Sequence, residues 1–176
     1  MRQAERTRDY LANKFWPRVI YTSPLSHCAR TDEIIAEPYA VATSPLPAFT
    51  DIDCGEWQGK SYGEVRAAEP AAFTSWRGTP HLAAIPGGES LYRVAARVAC
   101  VMRIIPAQHR GDTDFLVGHD SVNRVLLLLA LDLPLSRFWH LQQDPCATNI
   151  LDHDGADGWI IQSINETAHL TSATNS

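Results

Sequence analysis

The sequence predicts an α/β fold of three α/β/α layers, in which helices cover a mixed, mostly parallel sheet. Runs rich in β-forming residues alternate with helical patterns, as in folds built from strand–helix units. The clearest unit is the apolar strand 115–117, followed from Val122 by a helical pattern that includes the apolar run Val125–Leu131. Two further β-rich runs, 148–151 and 159–164, flank a polar turn. They indicate a hairpin, whose antiparallel strands would make the sheet mixed.

The predicted elements follow one another with short connections. In chain order they are an amphipathic helix over 2–14, a strand over 18–22, a helix that ends before Pro38, a strand over 39–42, helices over 62–76 and 89–105, the strand 115–117 with its helix, and the hairpin. At 176 residues the chain has the length of one domain, which we expect to span residues 1–170. The small polar tail 171–176 is expected to be disordered.

The composition excludes several functional classes. The net charge of −5 gives no electrostatic reason to expect nucleic acid or an acidic membrane as a partner. The longest apolar run, Val125–Leu131, is too short to span a bilayer, and residues 1–6 lack the apolar segment of a signal peptide. The four cysteines are scattered without the paired spacing of a zinc site. We therefore expect free thiols in a reducing cytoplasm and no bound metal.

His119 occupies the position at which an α/β sheet binds anions. It lies between the carboxyl end of strand 115–117 and the following helix, with Asp120 or Ser121 predicted as the N-cap. The free N–H groups and the dipole of a helix N-terminus favour negative charge, so an imidazole there can donate to a phosphate oxygen. A histidine that simply donates to a neighbouring carbonyl is an equal alternative from these residues alone.

Five segments resemble, in the same order, the motifs of one known family. They are the strand-to-helix segment 21–31, the acidic loop 51–59, the glycine-rich turn 86–91, the histidine segment 117–124 and the segment 164–170. Together they are similar to the histidine phosphatase superfamily, the phosphoglycerate-mutase-like proteins. The resemblance extends from Arg2 to Leu170.

The resemblance implies a phosphoryl-transfer site without a metal or cofactor. In this family a first histidine, within an Arg-His-Gly motif, attacks phosphorus, a second histidine and two arginines bind the phosphate, and an acidic residue protonates the leaving group. By position, His119 is the second histidine and Asp51 the acid, with Glu89 as the runner-up. Asp51 could instead cap its loop, and Glu89 could instead serve as an N-cap or first-turn residue of its helix.

Two departures from the family pattern bear on activity. The 176 residues contain no Arg-His-Gly. We therefore expect the first strand of the sheet and the nucleophile to be missing from an amino-terminally shortened chain. The position of the second phosphate-binding arginine holds His27, whose imidazole is mostly neutral above about pH 6.5. Arg30, one turn further along, could substitute. Ser23, at the same strand-to-helix turn, is a further candidate for binding substrate.

These observations lead to three functional hypotheses. The first is a phosphomonoester hydrolase that forms a phosphohistidine, with this chain inactive as written because it lacks the nucleophile. A phosphatase is favoured over a mutase, because 60–86 is shorter than the insertions typical of mutases. The second is a non-catalytic phosphate-binding or interaction protein derived from the same family. The third, a serine or cysteine hydrolase, is disfavoured because no Gly-x-Ser-x-Gly segment is present. The expected partner is a small phosphorylated molecule or phosphate.

Overall fold

The computed structural model describes residues 2–155 and 158–171, apart from the side chains of residues 26–29. The predicted disordered tail 171–176 lies outside the described residues except for Thr171. Within the described ranges, no helix is both long enough and apolar enough to cross a lipid bilayer.

Helices alternate with single strands, except for three consecutive helices before the third strand, and a hairpin follows. The helices are α1 (Arg2–Ala12), α2 (Ser26–Ala36), α3 (Tyr62–Ala68), α4 (Pro70–Gly78), α5 (Leu91–Gln108) and α6 (Asp120–Ala130). The strands are β1 (Pro17–Thr22), β2 (Ala42–Pro45), β3 (Thr113–Val117), β4 (Thr148–His153) and β5 (Trp159–Glu166).

The strands form a parallel sheet and a separate antiparallel pair. β1 is the central strand of the parallel sheet, with β2 on one side and β3 on the other. β4 and β5 pair as the predicted hairpin. The α/β class, with helices around a largely parallel set of strands, is confirmed. The detail that differs is that, among the described residues, the hairpin forms its own sheet instead of joining the parallel one.

Two predicted elements have other boundaries in the structure, and each involves a proline. β2 was expected over 39–42 but covers Ala42–Pro45, where Pro45 pairs with Thr22. A proline is tolerated there because β2 is an edge strand, and an edge strand leaves one row of N–H groups unpaired. The single helix expected over 62–76 is divided into α3 and α4 at Glu69, whose φ of −136° and ψ of 63° are non-helical. The residue before a proline avoids the helical region, and Pro70 then begins α4.

Helices α5 and α6 pack against each other in the hydrophobic core. α5 turns Val94, Val98 and Val101 into the core at helical spacing. α6 contributes the fully buried Val122 and Val125 to the same cluster. Because buried side chains in a close-packed core have little freedom, residues at the start of α6 and along α5 are held in fixed positions.

Candidate functional site

His119 forms the start of α6 itself. The prediction that Asp120 or Ser121 caps this helix is wrong, because helical structure begins at Asp120 and His119 is the N-cap, with an extended φ of −113° and ψ of 161°. Its carbonyl accepts from the N–H of Asn123 at 2.9 Å, closing the first helical turn. Asp120 in that turn suits the positive end of the helix dipole. The imidazole therefore projects from the helix N-terminus, directly after β3.

Ser23 lies next to His119 at the end of the neighbouring strand. The N–H of Ser23 donates to the carbonyl of Val117 at 3.0 Å, which extends the pairing of β1 with β3 by one residue. The Oγ of Ser23 lies 2.8 Å from Nε2 of His119. Ser23 is 0% exposed, and the His119 side chain is only 6% exposed. The two groups form a buried hydrogen-bonded pair at the carboxyl end of the sheet.

Asp51 approaches the other nitrogen of the imidazole. Its Oδ2 lies 3.8 Å from Nδ1 of His119, within ion-pair range but beyond a direct hydrogen bond. Its Oδ1 accepts from the Oγ of Ser121, in the first turn of α6, and from the N–H of Ile52 at 2.9 Å. The Asp51 side chain is 42% exposed. The structure thus brings together a buried histidine and a carboxylate that faces solvent.

The order Ser23, His119, Asp51 resembles the arrangement of a serine hydrolase, but two measurements argue against that chemistry. The Ser23 side chain has no exposed surface, so a substrate carbonyl could not reach its Oγ. The separation of 3.8 Å between Nδ1 and Oδ2 is also too long for the hydrogen bond that orients the histidine of such a triad. Like the lack of a Gly-x-Ser-x-Gly segment, these features argue against a serine hydrolase.

Glu89 belongs to a different network. Its two carboxylate oxygens accept from Nε and one terminal nitrogen of Arg97, each at 3.0 Å. The N-cap of α5 is Ser90, whose Oγ accepts from the N–H of Arg93, so Glu89 precedes the helix. Because its carboxylate is bound by the guanidinium of Arg97, Glu89 is suited to a structural role.

Of the two expected cationic ligands on α2, the structure describes the side chain of Arg30 only. The side chain of His27 lies outside the described residues. The guanidinium of Arg30 lies 3.3 Å from Glu33, and both side chains are mostly exposed. Arg30 is therefore engaged in a surface ion pair one turn along the same helix.

Two residues of the site region, Ser121 and Arg97, were not found from the sequence. Ser121 follows His119 by two positions, where the pattern suggests only a helix cap, and its contact with Asp51 joins elements 70 residues apart. Arg97 lies between Val94 and Val98 in α5, and an arginine beside an apolar stripe is the one sequence signal that could have indicated a buried role. Near this loop, burial together with the charges of Asp51 and Asp53 raises the pKa of the Cys54 thiol.

Known proteins resemble this chain in sequence and in fold. Phosphoserine phosphatase 1 of Hydrogenobacter thermophilus is 30% identical over 152 residues, which cover 86% of this chain and 72% of that protein. A bifunctional protein of Mycobacterium tuberculosis is 27% identical over 171 residues, and the chain spans 46% of its length. Among solved structures, YhfR of Bacillus stearothermophilus superposes with a TM-score of 0.91 at 26% identity, covering 97% of this chain and 84% of that one.

The match to a family extends over almost the whole chain. Residues 1–167 match the histidine phosphatase superfamily, branch 1. The segments that carry the resemblance, including the acidic loop 51–59 and the histidine segment 117–124, lie within this range and supply the residues that meet at the carboxyl end of the sheet. The chain therefore belongs to the histidine phosphatase superfamily.

Proposed function

We propose that the site around His119, with Ser23 and Asp51 beside it, binds the phosphoryl group of a small phosphomonoester. The observation that carries the proposal is the position of His119 at the N-terminus of α6, with Nε2 at 2.8 Å from Ser23 and Nδ1 at 3.8 Å from Asp51. An imidazole and free helix N–H groups at one point favour a phosphate dianion. In phosphoryl transfer they would stabilise the negative charge that spreads over the equatorial oxygens.

Each residue of the site has a distinct role in this proposal. The imidazole of His119 donates to a phosphate oxygen, and the buried Ser23 hydroxyl, 2.8 Å from Nε2, holds the ring in its orientation. Asp51 gives a proton to the leaving-group oxygen, for which its partly exposed carboxyl is suitably located. Arg30 and His27 remain candidates to bind the phosphate from α2. Glu89 acts indirectly, because it binds Arg97, which also donates to the backbone carbonyl of Asp51.

We further propose that these 176 residues bind phosphate without turning over phosphomonoesters. The family's phosphohistidine route needs the histidine of Arg-His-Gly, and the sequence contains none. The sheet supports this proposal, because within the described ranges β3 pairs along one edge only, with β1, while the hairpin stands as a separate sheet. A further strand could pair with the other edge of β3. Ser23 is too buried to replace the nucleophile.

Among phosphomonoesters, phosphoserine is the first substrate to test, because a phosphoserine phosphatase is among the relatives that the chain resembles. We favour a phosphatase over a mutase, since the stretch 60–86 forms only the short helices α3 and α4. The cysteines that the structure describes carry free thiols, which fits the proposed location in a reducing cytoplasm.

The test compares the 176-residue chain with a chain extended at its amino end by a strand containing Arg-His-Gly. Hydrolysis of phosphoserine and p-nitrophenyl phosphate is measured from pH 5 to 8, and phosphohistidine is trapped on the protein. Phosphate binding is measured by calorimetry for the wild type, for His119→Ala and for the exposed control His153→Ala. We expect binding that His119→Ala weakens about tenfold or more, and turnover only in the extended chain. Turnover by the short chain that His119→Ala abolishes would make His119 the nucleophile.

The second candidate function, a non-catalytic phosphate-binding or interaction protein, is favoured by His27 at an arginine position. A guanidinium is always charged, whereas an imidazole loses its charge above about pH 6.5. His27→Arg should therefore tighten phosphate binding at pH 8 more than at pH 5.5. An extended chain that binds phosphate but remains inactive would support this second function over the first.

A further inference from the structure

The guanidinium of Arg97, on α5, donates hydrogen bonds to Glu89 and to the backbone of residues 48–51. Nε and a terminal nitrogen donate to Glu89, each at 3.0 Å, and the other terminal nitrogen donates to the carbonyls of Ala48 at 2.6 Å and Thr50 at 2.7 Å. A fifth hydrogen bond reaches the carbonyl of Asp51 at 3.3 Å. A guanidinium has five N–H donors, so all of them are used. The Arg97 side chain is 21% exposed and extends from the middle of α5.

The three carbonyls belong to the segment that carries Asp51. Between two of them lies Phe49, which is 1% exposed. A Cβ built on Gly118, the residue before His119, would be 2.9 Å from the Phe49 ring, so the segment packs directly against the backbone of the histidine turn. Arg97 therefore contacts the main chain on both sides of the residue that touches this turn.

The far side of the acidic loop is fixed by the turn that precedes Glu89. The N–H of Glu89 donates to the carbonyl of Asp53 at 2.8 Å, and the N–H of Glu56 donates to the carbonyl of Pro86 at 2.9 Å. A Cβ on Gly55 would lie 2.2 Å from that same carbonyl oxygen, so only glycine permits this close approach. Glu89 thus joins the Arg97 network to the loop through both its side chain and its backbone.

We infer that Arg97 is a positioning residue, which through Glu89 and three backbone carbonyls holds the Asp51 carboxylate at its distance from His119. This inference rests on the proposed function for the importance of Asp51, while the contacts that carry it are independent of any ligand. At 3.8 Å the carboxylate is close enough to interact with the imidazole without forming a direct hydrogen bond. It thereby remains available to a leaving group. Lysine cannot replace arginine here, because its three donors radiate from one atom and cannot span Glu89 and the loop.

The test measures how strongly Asp51 and His119 interact, with and without the Arg97 hydrogen bonds. The titration of His119 is followed by NMR in the 176-residue chain, before and after Asp51→Asn, in the wild type and in Arg97→Lys. Removing a nearby negative charge should lower the His119 titration midpoint by about 1 pH unit in the wild type. In Arg97→Lys the same change should lower it by less than half as much, because the released loop no longer keeps Asp51 in place. Asp120 and Arg124, which form an ion pair on α6, are kept in every variant, so their charges do not contribute to the difference between the shifts.

Arg93→Lys is the matched control, since Arg93 is an exposed arginine one turn earlier on α5 and should leave the full shift intact. If Arg97→Lys does not fold, Glu89→Gln weakens the ion pair with Arg97. In that background Asp51→Asn should shift the His119 midpoint by an amount between the shifts expected for the wild type and for Arg97→Lys. Equal shifts in all backgrounds would overturn the positioning role. No phosphate enters this measurement, so failure of the wild type to bind phosphate would reject the proposed function alone.

Discussion

The hydroxyl of Ser121 donates a hydrogen bond to Oδ1 of Asp51, so the helix that begins at His119 also holds the carboxylate opposite it. The same Oγ accepts from the N–H of Ile52 at 3.3 Å. The histidine and the proposed acid are therefore positioned by one helical turn. Because α6 is anchored by Val122 and Val125 in the core, Ser121 fixes the Asp51 carboxylate from one side, while Arg97 binds the backbone of its segment from the other.

Ser121→Ala should loosen Asp51 without disrupting α6. Ser121 is buried and donates to a charged acceptor, and such a hydrogen bond contributes about 1.5–3 kcal/mol. The loss should be toward the lower end, since Asp51 is partly exposed and can accept from water instead. The free energy of unfolding, measured in urea, should fall by this amount. Ser75→Ala, at a half-buried serine of α4 whose Oγ lies 3.4 Å from the hydroxyl of Thr79, is the control and should change it by less than about 0.5 kcal/mol.

Gly118→Ala should destabilise the protein because the new methyl group has no room. Its Cβ would lie 2.9 Å from the ring of Phe49 and 3.3 Å from Oδ1 of Asn123. The ring is fully enclosed and cannot move aside, and overpacking of this kind costs about 1–3 kcal/mol. Gly63→Ala is the contrasting variant in α3, where the nearest atom is 3.9 Å away. It should stabilise the protein by about 0.5–1 kcal/mol. Equal unfolding free energies for the two variants would contradict the packing of Phe49 against Gly118.

The sequence predicted those parts of the fold that depend on local pattern. The apolar spacing of α5 and the polar turn between 148–151 and 159–164 are local signals, and both elements are confirmed. The position of β2 was missed because pairing with the central strand β1 decided it, and residues 42–45 have little strand character of their own. Local pattern also could not show that the hairpin would form a separate sheet.

The candidate site was predicted where its residues occupy positions of the family motifs and missed where they act through contacts with distant parts of the chain. His119 and Asp51 were named from motif positions, and the structure places them 3.8 Å apart. Ser121 and Arg97 exert their effects through contacts 70 and 46 to 49 residues away in sequence. A side chain that binds a distant backbone carbonyl leaves no periodic signal, so only the folded chain identifies it.

Asn165 should control the ionisation of Asp144. The side-chain amides of Asn165 and Gln142 donate to the Asp144 carboxylate, and these hydrogen bonds lower its pKa. A lowered pKa contributes stability that is present above the unfolded value of about 3.9 and is lost as pH falls through the folded value. In Asn165→Gly one donor is removed, so the pKa of Asp144 should rise toward its ordinary range. Glycine suits the φ of 52° at this position.

The direct measurement for Asn165→Gly is the carboxyl-carbon NMR titration of Asp144. The stability difference between this variant and the wild type should also shrink between pH 6 and pH 3, because the lost hydrogen bond acts only on the ionised carboxylate. Gln142→Ala removes the second donor and should shift the pKa in the same direction. An unchanged titration of Asp144 in both variants would contradict the contacts at the base of the hairpin.

The Cys54 thiol should report the charge of Asp51. Burial is the largest cause that raises the pKa of Cys54, and the negative charges of Asp51 and Asp53 raise it further. The thiolate is the reactive form, so Cys54 should react with iodoacetamide more slowly than the exposed Cys100 at pH 7.5. Asp51→Asn removes one charge, lowers the pKa of Cys54 and should accelerate its alkylation about two- to fivefold.

Peptide mass spectrometry follows both cysteines in one sample, and Cys100 serves as the internal control. Asp53→Asn should act in the same direction. Since burial persists in both variants, Cys54 should remain slower than Cys100, and an unchanged ratio of the two rates in Asp51→Asn would show that the Asp51 charge does not reach this thiol.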